Sequence, residues 1–329
     1  MIDYGSAIRE GFDYLLEKYP ECVIMGQGLW SPWYVGNTMT NLDVKYGKSR
    51  VIDTPVSESA VTGMGVGAAI AGLMPIVVHP RMDFMLYAMD AIVNEAAKWS
   101  SMTGGKASAG VTIRAIINRG GEQGAQHSQA LHAWFMHVPG LRVVMPYSVQ
   151  DARDLLIASV MSPDPVLYID DRWLYEKQEL IEPIQELDLR NIGPKVIKKG
   201  KDFTIAAAGF SVQNALEVCM ALSEHGYSGE IIDIRVLNPF DKTIIVESVK
   251  KTGRLFVIDG GWGPASLSTE VITGVVETLA PLSFQNSPKR FSLPFAPAPS
   301  GKSLEDAYYP KVEQITIEIL KILKEEGVR

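Results

Sequence analysis

The chain has 329 residues, of which 47% are hydrophobic and 21% charged, a balance typical of a globular protein with two domains. Its 38 acidic residues outnumber 31 basic ones and give a net charge of -7, which argues against binding of nucleic acid. The two cysteines cannot build a disulfide framework, and no uncharged apolar stretch is long enough to span a membrane. The acid-bearing segment 1–20 does not resemble a signal peptide, so we expect a cytoplasmic protein without membrane contacts.

The first half of the chain alternates continuous apolar runs with helix-like segments, which is typical of parallel strands buried on both faces. The predicted strands are 22–25, 50–53, 75–79, 112–117, 142–145 and 166–169. The predicted helices are 6–20, 59–72, 87–102 and 149–162. The pattern then breaks into a charged stretch without long periodicity, which predicts a linker.

A second alternation follows and predicts a second α/β domain. Its predicted strands are 203–209, 230–235 and 254–259, and its predicted helices are 214–226, 242–253, 268–280 and 310–326. Two of these helices end at a glycine, the residue expected at a left-handed cap. The sequence therefore predicts an α/β protein with two open, mostly parallel sheets, divided as domain 1–185, linker 186–199 and domain 200–329.

Gly63, Gly65 and Gly67 formally fit a dinucleotide-binding fingerprint, but their position argues against it. Such glycines must form the turn directly after a strand, whereas these follow the predicted strand end at Asp53 by ten residues. We expect them inside a helix, where small residues at a spacing of four allow another helix to approach, and we place that approach at a subunit interface.

Glu58 follows Ser57 at the start of the same predicted helix. A carboxylate in a first helical turn is usually only a partner of the helix dipole, with the preceding serine as the cap. The segments around Glu58 indicate a functional role in addition to this structural one. The segments 51–77, 83–105 and 124–156 follow one another in an order that resembles the beta subunit of the thiamine-diphosphate-dependent decarboxylase component of 2-oxo acid dehydrogenases (pyruvate, branched-chain or acetoin type), in the transketolase-like superfamily. The resemblance continues through 199–218, 231–241 and 303–315 and so covers nearly the whole chain.

This resemblance implies a transketolase-like pyrimidine-binding domain followed by a transketolase C-terminal-like domain, and a thiamine diphosphate cofactor. Glu58 matches the glutamate that bonds a ring nitrogen of the cofactor's aminopyrimidine. Phe84 matches the aromatic residue that covers the pyrimidine ring, and Tyr87 lies one helical turn further along the same wall. His127 matches the active-site histidine that donates to the developing oxyanion or acyl group. Each of these residues also has an ordinary structural interpretation, such as a core Phe or a buried His.

The magnesium ligands of the cofactor's diphosphate are not found in this sequence. In the family these ligands come from a Gly-Asp-Gly turn and from an asparagine further along the chain. The nearest matches here are Asp259, in an Ile-Asp-Gly-Gly turn, and Asn286. Asp259 lies in the C-terminal domain, however, and Asn286 leads into Ser-Pro instead of a helix. The resemblance therefore implies a partner alpha subunit that supplies the magnesium and diphosphate site, with activity only in an α/β heterotetramer. It further implies a structural potassium ion near 159–164 and docking of a lipoyl acyltransferase core.

Some positions depart from the family pattern and leave the substrate open. His79, Arg81 and Arg119 stand in segments where relatives usually carry other residues, while Arg114 is the expected residue. These basic side chains are candidate contacts for an anionic or polyhydroxylated substrate. The expected reaction is oxidative decarboxylation of a 2-oxo acid with acyl transfer to lipoamide. The alternatives are a split, two-subunit transketolase-like transferase that moves a two-carbon ketol unit between sugars, and a non-catalytic assembly subunit.

Overall fold

A computed structural model of the chain describes residues 1–325, which form two compact units. The first unit comprises Met1–Arg119 and His127–Ile192, and the second comprises Gly120–Gln126 and the chain from Gly193 onward. The main division lies inside the predicted linker 186–199. The excursion of seven residues into the second unit was not predicted. No helix among the described residues is long and apolar enough to cross a membrane.

The first unit is built on a six-stranded sheet in which all neighbouring strands are parallel. The strands of this unit are β1 (Ile2–Asp3), β2 (Cys22–Gly26), β3 (Tyr34–Asn37), β4 (Val51–Asp53), β5 (Met74–His79), β6 (Thr112–Ile117), β7 (Arg142–Val144), β8 (Val166–Asp171) and β9 (Gln178–Glu179). The sheet order is β7-β8-β6-β5-β2-β4, and β1 pairs with β9 in a separate antiparallel ribbon. All six strands predicted in the first half are confirmed, because continuous apolar runs such as β6 are buried on both faces.

The helices of the first unit are α1 (Tyr4–Lys18), α2 (Leu42–Tyr46), α3 (Glu58–Ile70), α4 (Ala97–Met102), α5 (His132–Met136) and α6 (Val149–Val160). Asp3 and Ser148 cap α1 and α6 by accepting backbone N–H bonds. The single helix predicted over 87–102 is wrong: a 3-10 turn at Phe84–Ala88, a π-helical turn at Ala91–Ala96 and α4 share that span. Apolar spacing does not report such a change in hydrogen-bond register.

The three glycines of the false fingerprint lie inside α3, as predicted. A Cβ on Gly65 would come within 2.4 Å of a Val77 methyl group, so this glycine lets the helix lie close against β5. Gly63 and Gly67 have nothing within 4 Å of their Cβ positions among the described residues. Their predicted role in a subunit interface stays a prediction.

The second unit has a five-stranded mixed sheet of order β10-β12-β11-β14-β15, in which only the β10–β12 pair is antiparallel. The strands of this unit are β10 (Lys195–Lys198), β11 (Phe203–Ala207), β12 (Gly229–Asp233), β13 (Val236–Asn238), β14 (Leu255–Trp262) and β15 (Lys289–Leu293), of which β13 lies outside this sheet. Its helices are α7 (Phe210–Ser223), α8 (Thr243–Thr252), α9 (Leu267–Val276), α10 (Lys302–Tyr308) and α11 (Val312–Lys324).

Most differences from the predicted second half lie at the sheet edges. β10 falls inside the predicted linker, and its half-exposed Lys-Val-Ile-Lys pattern lacks the continuous apolar run that marks the central strands. β15 was also missed, because its first residues are polar and exposed. The predicted glycine cap is confirmed at Gly253, which has a φ of 69° after α8. Residue 326 of the predicted last helix lies outside the described residues.

Candidate active site

The cavity of the first unit lies where three neighbouring parallel strands end. β5, β2 and β4 are adjacent and parallel, so the loops after His79, Gly26 and Asp53 all start at the C-terminal end of the sheet. These loops, together with the segment at His127, enclose a cavity of about 300 Å³. The cavity is lined by Gln27, Tyr34, Val56, Glu58, His79, Pro80, Arg81, Phe84, Tyr87 and His127. A cavity of this size accommodates part of a small organic molecule.

Glu58 is the first residue of α3 and is half-buried in the cavity wall. Ser57 occupies the cap position, but its side chain makes no capping hydrogen bond, so the capping role considered for it is not formed. The helix dipole favours a carboxylate at this place. No hydrogen bond or ion pair joins the Glu58 carboxylate to another described residue. Glu58 therefore keeps its hydrogen-bonding capacity for a molecule bound in the cavity.

Phe84 and His127 meet in the same cavity although 43 residues separate them in the chain. Their ring centroids lie 5.1 Å apart at 81°, an edge-to-face contact. Buried Asp83 fixes this contact, because its Oδ1 accepts bonds from the backbone N–H and the Nε2 of Gln129, each at 3.0 Å. Burial raises the pKa of the Asp83 carboxyl above its ordinary value. The pair of bonds holds the loop of His127 against the turn of Phe84.

Tyr87 also lines the cavity, one turn after Phe84, but 72% of its surface is exposed. It lies at the mouth of the cavity, and we expect its ring to contact a ligand only at the ligand's outer part. The structure thus brings together in one cavity the residues predicted to bind the cofactor, Glu58, Phe84 and Tyr87, and the predicted catalytic residue His127.

His79 and Arg81 line the cavity as well, but with different charge states. The His79 ring is buried, its Nε2 lies 3.1 Å from the Thr62 hydroxyl, and burial lowers its pKa to about 4. His79 is therefore neutral at physiological pH, and its predicted role as a substrate contact stays a prediction. Arg81 keeps its charge, and its Nη1 is buried without a hydrogen-bond partner in the described part of the chain.

Arg114 and Arg119 are not among the cavity's lining residues, which corrects their predicted role as substrate contacts. The Arg114 guanidinium is wholly buried and donates to both carboxylate oxygens of Asp170, at 3.0 and 2.7 Å. Arg119 is also buried, and it pairs with Asp171. Both arginines are committed to acids at the end of β8, so their guanidinium groups hold the sheet end together.

Gln27 and Tyr34 are cavity residues that the sequence did not single out. The Gln27 Nε2 donates to the Tyr34 hydroxyl at 2.8 Å. Gly28 has a φ of 71°, and a Cβ there would come within 2.1 Å of the Tyr34 ring, so only glycine permits this close approach. The available signal was the position of Gln27 directly after β2, next to the end of β5 in the sheet.

The described residues contain no group of three or more His, Cys, Asp or Glu side chains placed to hold a metal ion. In the second unit, the Asp259 carboxylate accepts N–H bonds from Gly261 at 3.0 Å and Ser268 at 2.9 Å. Asp259 thereby organises the turn before α9. That the magnesium ligands come from an alpha subunit stays a prediction.

Comparison with known proteins identifies both units. Residues 1–177 match the transketolase pyrimidine binding domain, and residues 194–315 match the transketolase C-terminal domain. The beta subunit of acetoin:2,6-dichlorophenolindophenol oxidoreductase of Bacillus subtilis is 36% identical, over 97% of each chain. The mitochondrial pyruvate dehydrogenase E1 beta subunit of Bos taurus is 35% identical, over 97% of this chain and 89% of that one.

Other relatives differ in length or in degree of likeness. The pyruvate dehydrogenase E1 beta subunit of Rhizobium meliloti is 34% identical over 83% of this chain, which spans 59% of that longer relative. Among solved structures, a split-gene transketolase described as an inactive beta4 tetramer has a TM-score of 0.78 at 20% identity, over 98% of both chains. That likeness establishes the shared two-domain fold.

Proposed function

We propose that this chain, which belongs to the family of E1 beta subunits of 2-oxo acid dehydrogenases, supplies the pyrimidine half of an active site that decarboxylates a 2-oxo acid oxidatively. The family depends on thiamine diphosphate, and its beta subunits pair with alpha subunits. The chain is thus part of an oxidoreductase complex. In the proposed reaction the acyl group passes to a lipoyl group. The observation that carries this proposal is the meeting of Glu58, Phe84 and His127 in one cavity.

The cavity residues fit the pyrimidine part of the cofactor. The Glu58 carboxylate has no partner among residues 1–325, and an aromatic ring and an imidazole stand in the same cavity. When bound, thiamine diphosphate supplies a nucleophilic carbon and a place for the electron pair left by decarboxylation. The protein's own groups must orient the ring, move the proton and stabilise developing charge.

Each of these tasks suits one residue. Glu58 would share a proton with a ring nitrogen of the pyrimidine, a role that needs a carboxyl without a fixed protein partner. Phe84 would cover the pyrimidine ring with its apolar face. His127, held by its edge-to-face contact with Phe84, would donate a hydrogen bond to the oxygen on which negative charge develops.

The remaining parts of the active site are assigned to partners. We propose that the alpha subunit supplies the magnesium and diphosphate site and that the assembly is an α/β heterotetramer. A lipoyl acyltransferase core as a further partner, a potassium ion near 159–164 and a cytoplasmic location stay predictions.

The two alternatives are less well supported. Ketol transfer between sugars rests on likeness to a split-gene transketolase at 20% identity, which concerns the fold alone. The dehydrogenase subunits are 34% to 36% identical. A non-catalytic assembly subunit has no need of Glu58, His127 and the Arg81 Nη1 group in one cavity, each without a hydrogen-bond partner among the described residues.

The test starts from the complex purified through a tag on this chain from its native cell. We expect an alpha-type chain to co-purify, and the complex to reduce 2,6-dichlorophenolindophenol in the presence of a 2-oxo acid and thiamine diphosphate. Glu58→Gln should lower this rate at least about 100-fold, because general acid–base groups contribute factors of that size. Exposed Glu224→Gln in the second unit is the matched control and should retain the rate. Full activity of the Glu58→Gln complex, or purification without an alpha chain, would overturn the proposal.

A further inference from the structure

Arg81 brings to its corner of the cavity a positive charge that is bonded to no acid in the described part of the chain. The Nη1 of Arg81 is buried and has no hydrogen-bond partner among the described residues, and the same is true of the Nε of Arg172. Burial, and after it the charge of Arg172, lowers the pKa of Arg81. A guanidinium nevertheless stays protonated in proteins, and a buried donor without a partner is costly. Both features favour an anion at this corner.

No acid among the described residues forms an ion pair with Arg81. Asp83 acts on Arg81 through space, but its Oδ1 is occupied by Gln129 and no ion pair joins the two residues in the portion of the chain that is described. His79 is neutral, since burial lowers its pKa to about 4. The Tyr34 hydroxyl accepts a bond from Gln27, which leaves its own proton available to donate. Arg81 and Tyr34 both line the cavity, so their guanidinium and hydroxyl groups are the two donors proposed for a ligand there.

We propose that Arg81 binds a carboxylate of the substrate, assisted by Tyr34, and that the substrate is a 2-oxo acid with a second acidic group. This inference rests on the proposed function and names its substrate class. The reacting carboxylate leaves as neutral carbon dioxide, so a guanidinium bound to it would stabilise the ground state more than the transition state. A carboxylate at the far end of the substrate keeps its charge throughout the reaction. Binding it stabilises the ground state and the transition state equally, so it does not raise the barrier of the chemical step. The second acidic group is therefore the one that Arg81 holds.

The test compares two acids of equal chain length in the native complex, 2-oxoglutarate and 2-oxopentanoate, which differ in the terminal carboxylate. We expect the wild type to prefer 2-oxoglutarate in kcat/KM. Arg81→Gln should raise the KM for 2-oxoglutarate about 10- to 100-fold, the effect of losing one charge-assisted hydrogen bond, and should change the KM for 2-oxopentanoate less than about threefold. Arg81→Lys keeps the charge and should restore part of the preference. Arg190→Gln, an exposed arginine paired with Asp188, is the matched control.

A binding measurement keeps the inference separate from the proposed function. Isothermal titration of the complex with glutarate, which cannot react, should give a Kd that Arg81→Gln weakens about 10- to 100-fold. An equal rise in KM for the two oxo acids in Arg81→Gln would overturn the role of Arg81. Equal glutarate binding by wild type and Arg81→Gln would overturn it as well. A wild type that binds no glutarate would overturn it too. A complex that binds glutarate through Arg81 but turns over no 2-oxo acid would instead contradict the proposed function.

Discussion

The ends of β5 and β6 lie side by side in one sheet, yet their charged side chains are used in opposite ways. In β6 and just after it, Arg114 and Arg119 are buried and each is paired with an acid of β8. After β5, Arg81 lines the cavity and has a donor that no described residue satisfies, and the Glu58 carboxylate, also without a described partner, lines the same cavity. Charges that are paired at a sheet end maintain the structure, whereas an unpaired charge there is the one we expect to meet a ligand.

The largest expected effect concerns an arginine that is paired with an acid. Arg114→Met should lower the free energy of unfolding by about 3–5 kcal/mol, because it leaves the Asp170 carboxylate buried without its partner. Urea unfolding of the purified complex, followed by far-ultraviolet circular dichroism, measures this loss. Arg81→Gln should change it by less than about 1 kcal/mol. Equal destabilisation by the two substitutions would remove the distinction between the two strand ends.

On the unsatisfied side, His127→Ala should lower kcat about 100-fold and leave the free energy of unfolding nearly unchanged. The reason is that the imidazole contacts the Phe84 ring but makes no hydrogen bond within the described residues. Steady-state kinetics of the assembled complex measure the effect, and titration with thiamine diphosphate shows whether the cofactor still binds. His137→Ala, an exposed histidine outside the cavity, is the matched control. A fall in stability with unchanged kcat would make His127 a structural residue.

The smallest expected effect is a dependence of stability on pH at His79. The pKa of this buried ring is about 4 in the folded chain and near its ordinary 6.5 in the unfolded chain. Above pH 6.5 both states are neutral, so His79 contributes no pH dependence. As the pH falls from 6.5 toward 4 the unfolded state binds the proton first, and stability is lost, by roughly 1 kcal/mol at pH 5.5. Thermal unfolding of wild type and His79→Gln between pH 5 and 7.5 measures this, and parallel curves would contradict a buried neutral ring.

The sequence predicted the central strands, and it singled out residues that meet in the cavity, because both have strong local signals. Continuous apolar runs mark strands that are buried on both faces, and Glu58, Phe84 and His127 stand in long segments with a family resemblance. Edge strands such as β10 and β15 lack that apolar pattern, because they are partly exposed.

The roles of the arginines could not be predicted for a different reason. Arg81 and Arg119 follow apolar runs and Arg114 lies inside one, and none of these positions shows whether the arginine has an acidic partner. Their difference depends on whether an acid of a distant segment, such as Asp170 of β8, lies opposite in the folded sheet. Pairing across 56 residues is a property of strand order, and a single sequence does not display it.

The short excursion Gly120–Gln126 restricts how this protein can be dissected or recombined. The chain leaves the first unit after Arg119, packs with the second unit, where the Glu122 N–H donates to Glu305, and returns at His127. A truncation after Ile192 therefore removes residues against which this excursion packs. The excursion would then have no packing partner in the second unit, directly before His127. Exchange of the second unit between relatives must carry residues 120–126 with it, so the modular boundary of this protein consists of three cuts in the chain.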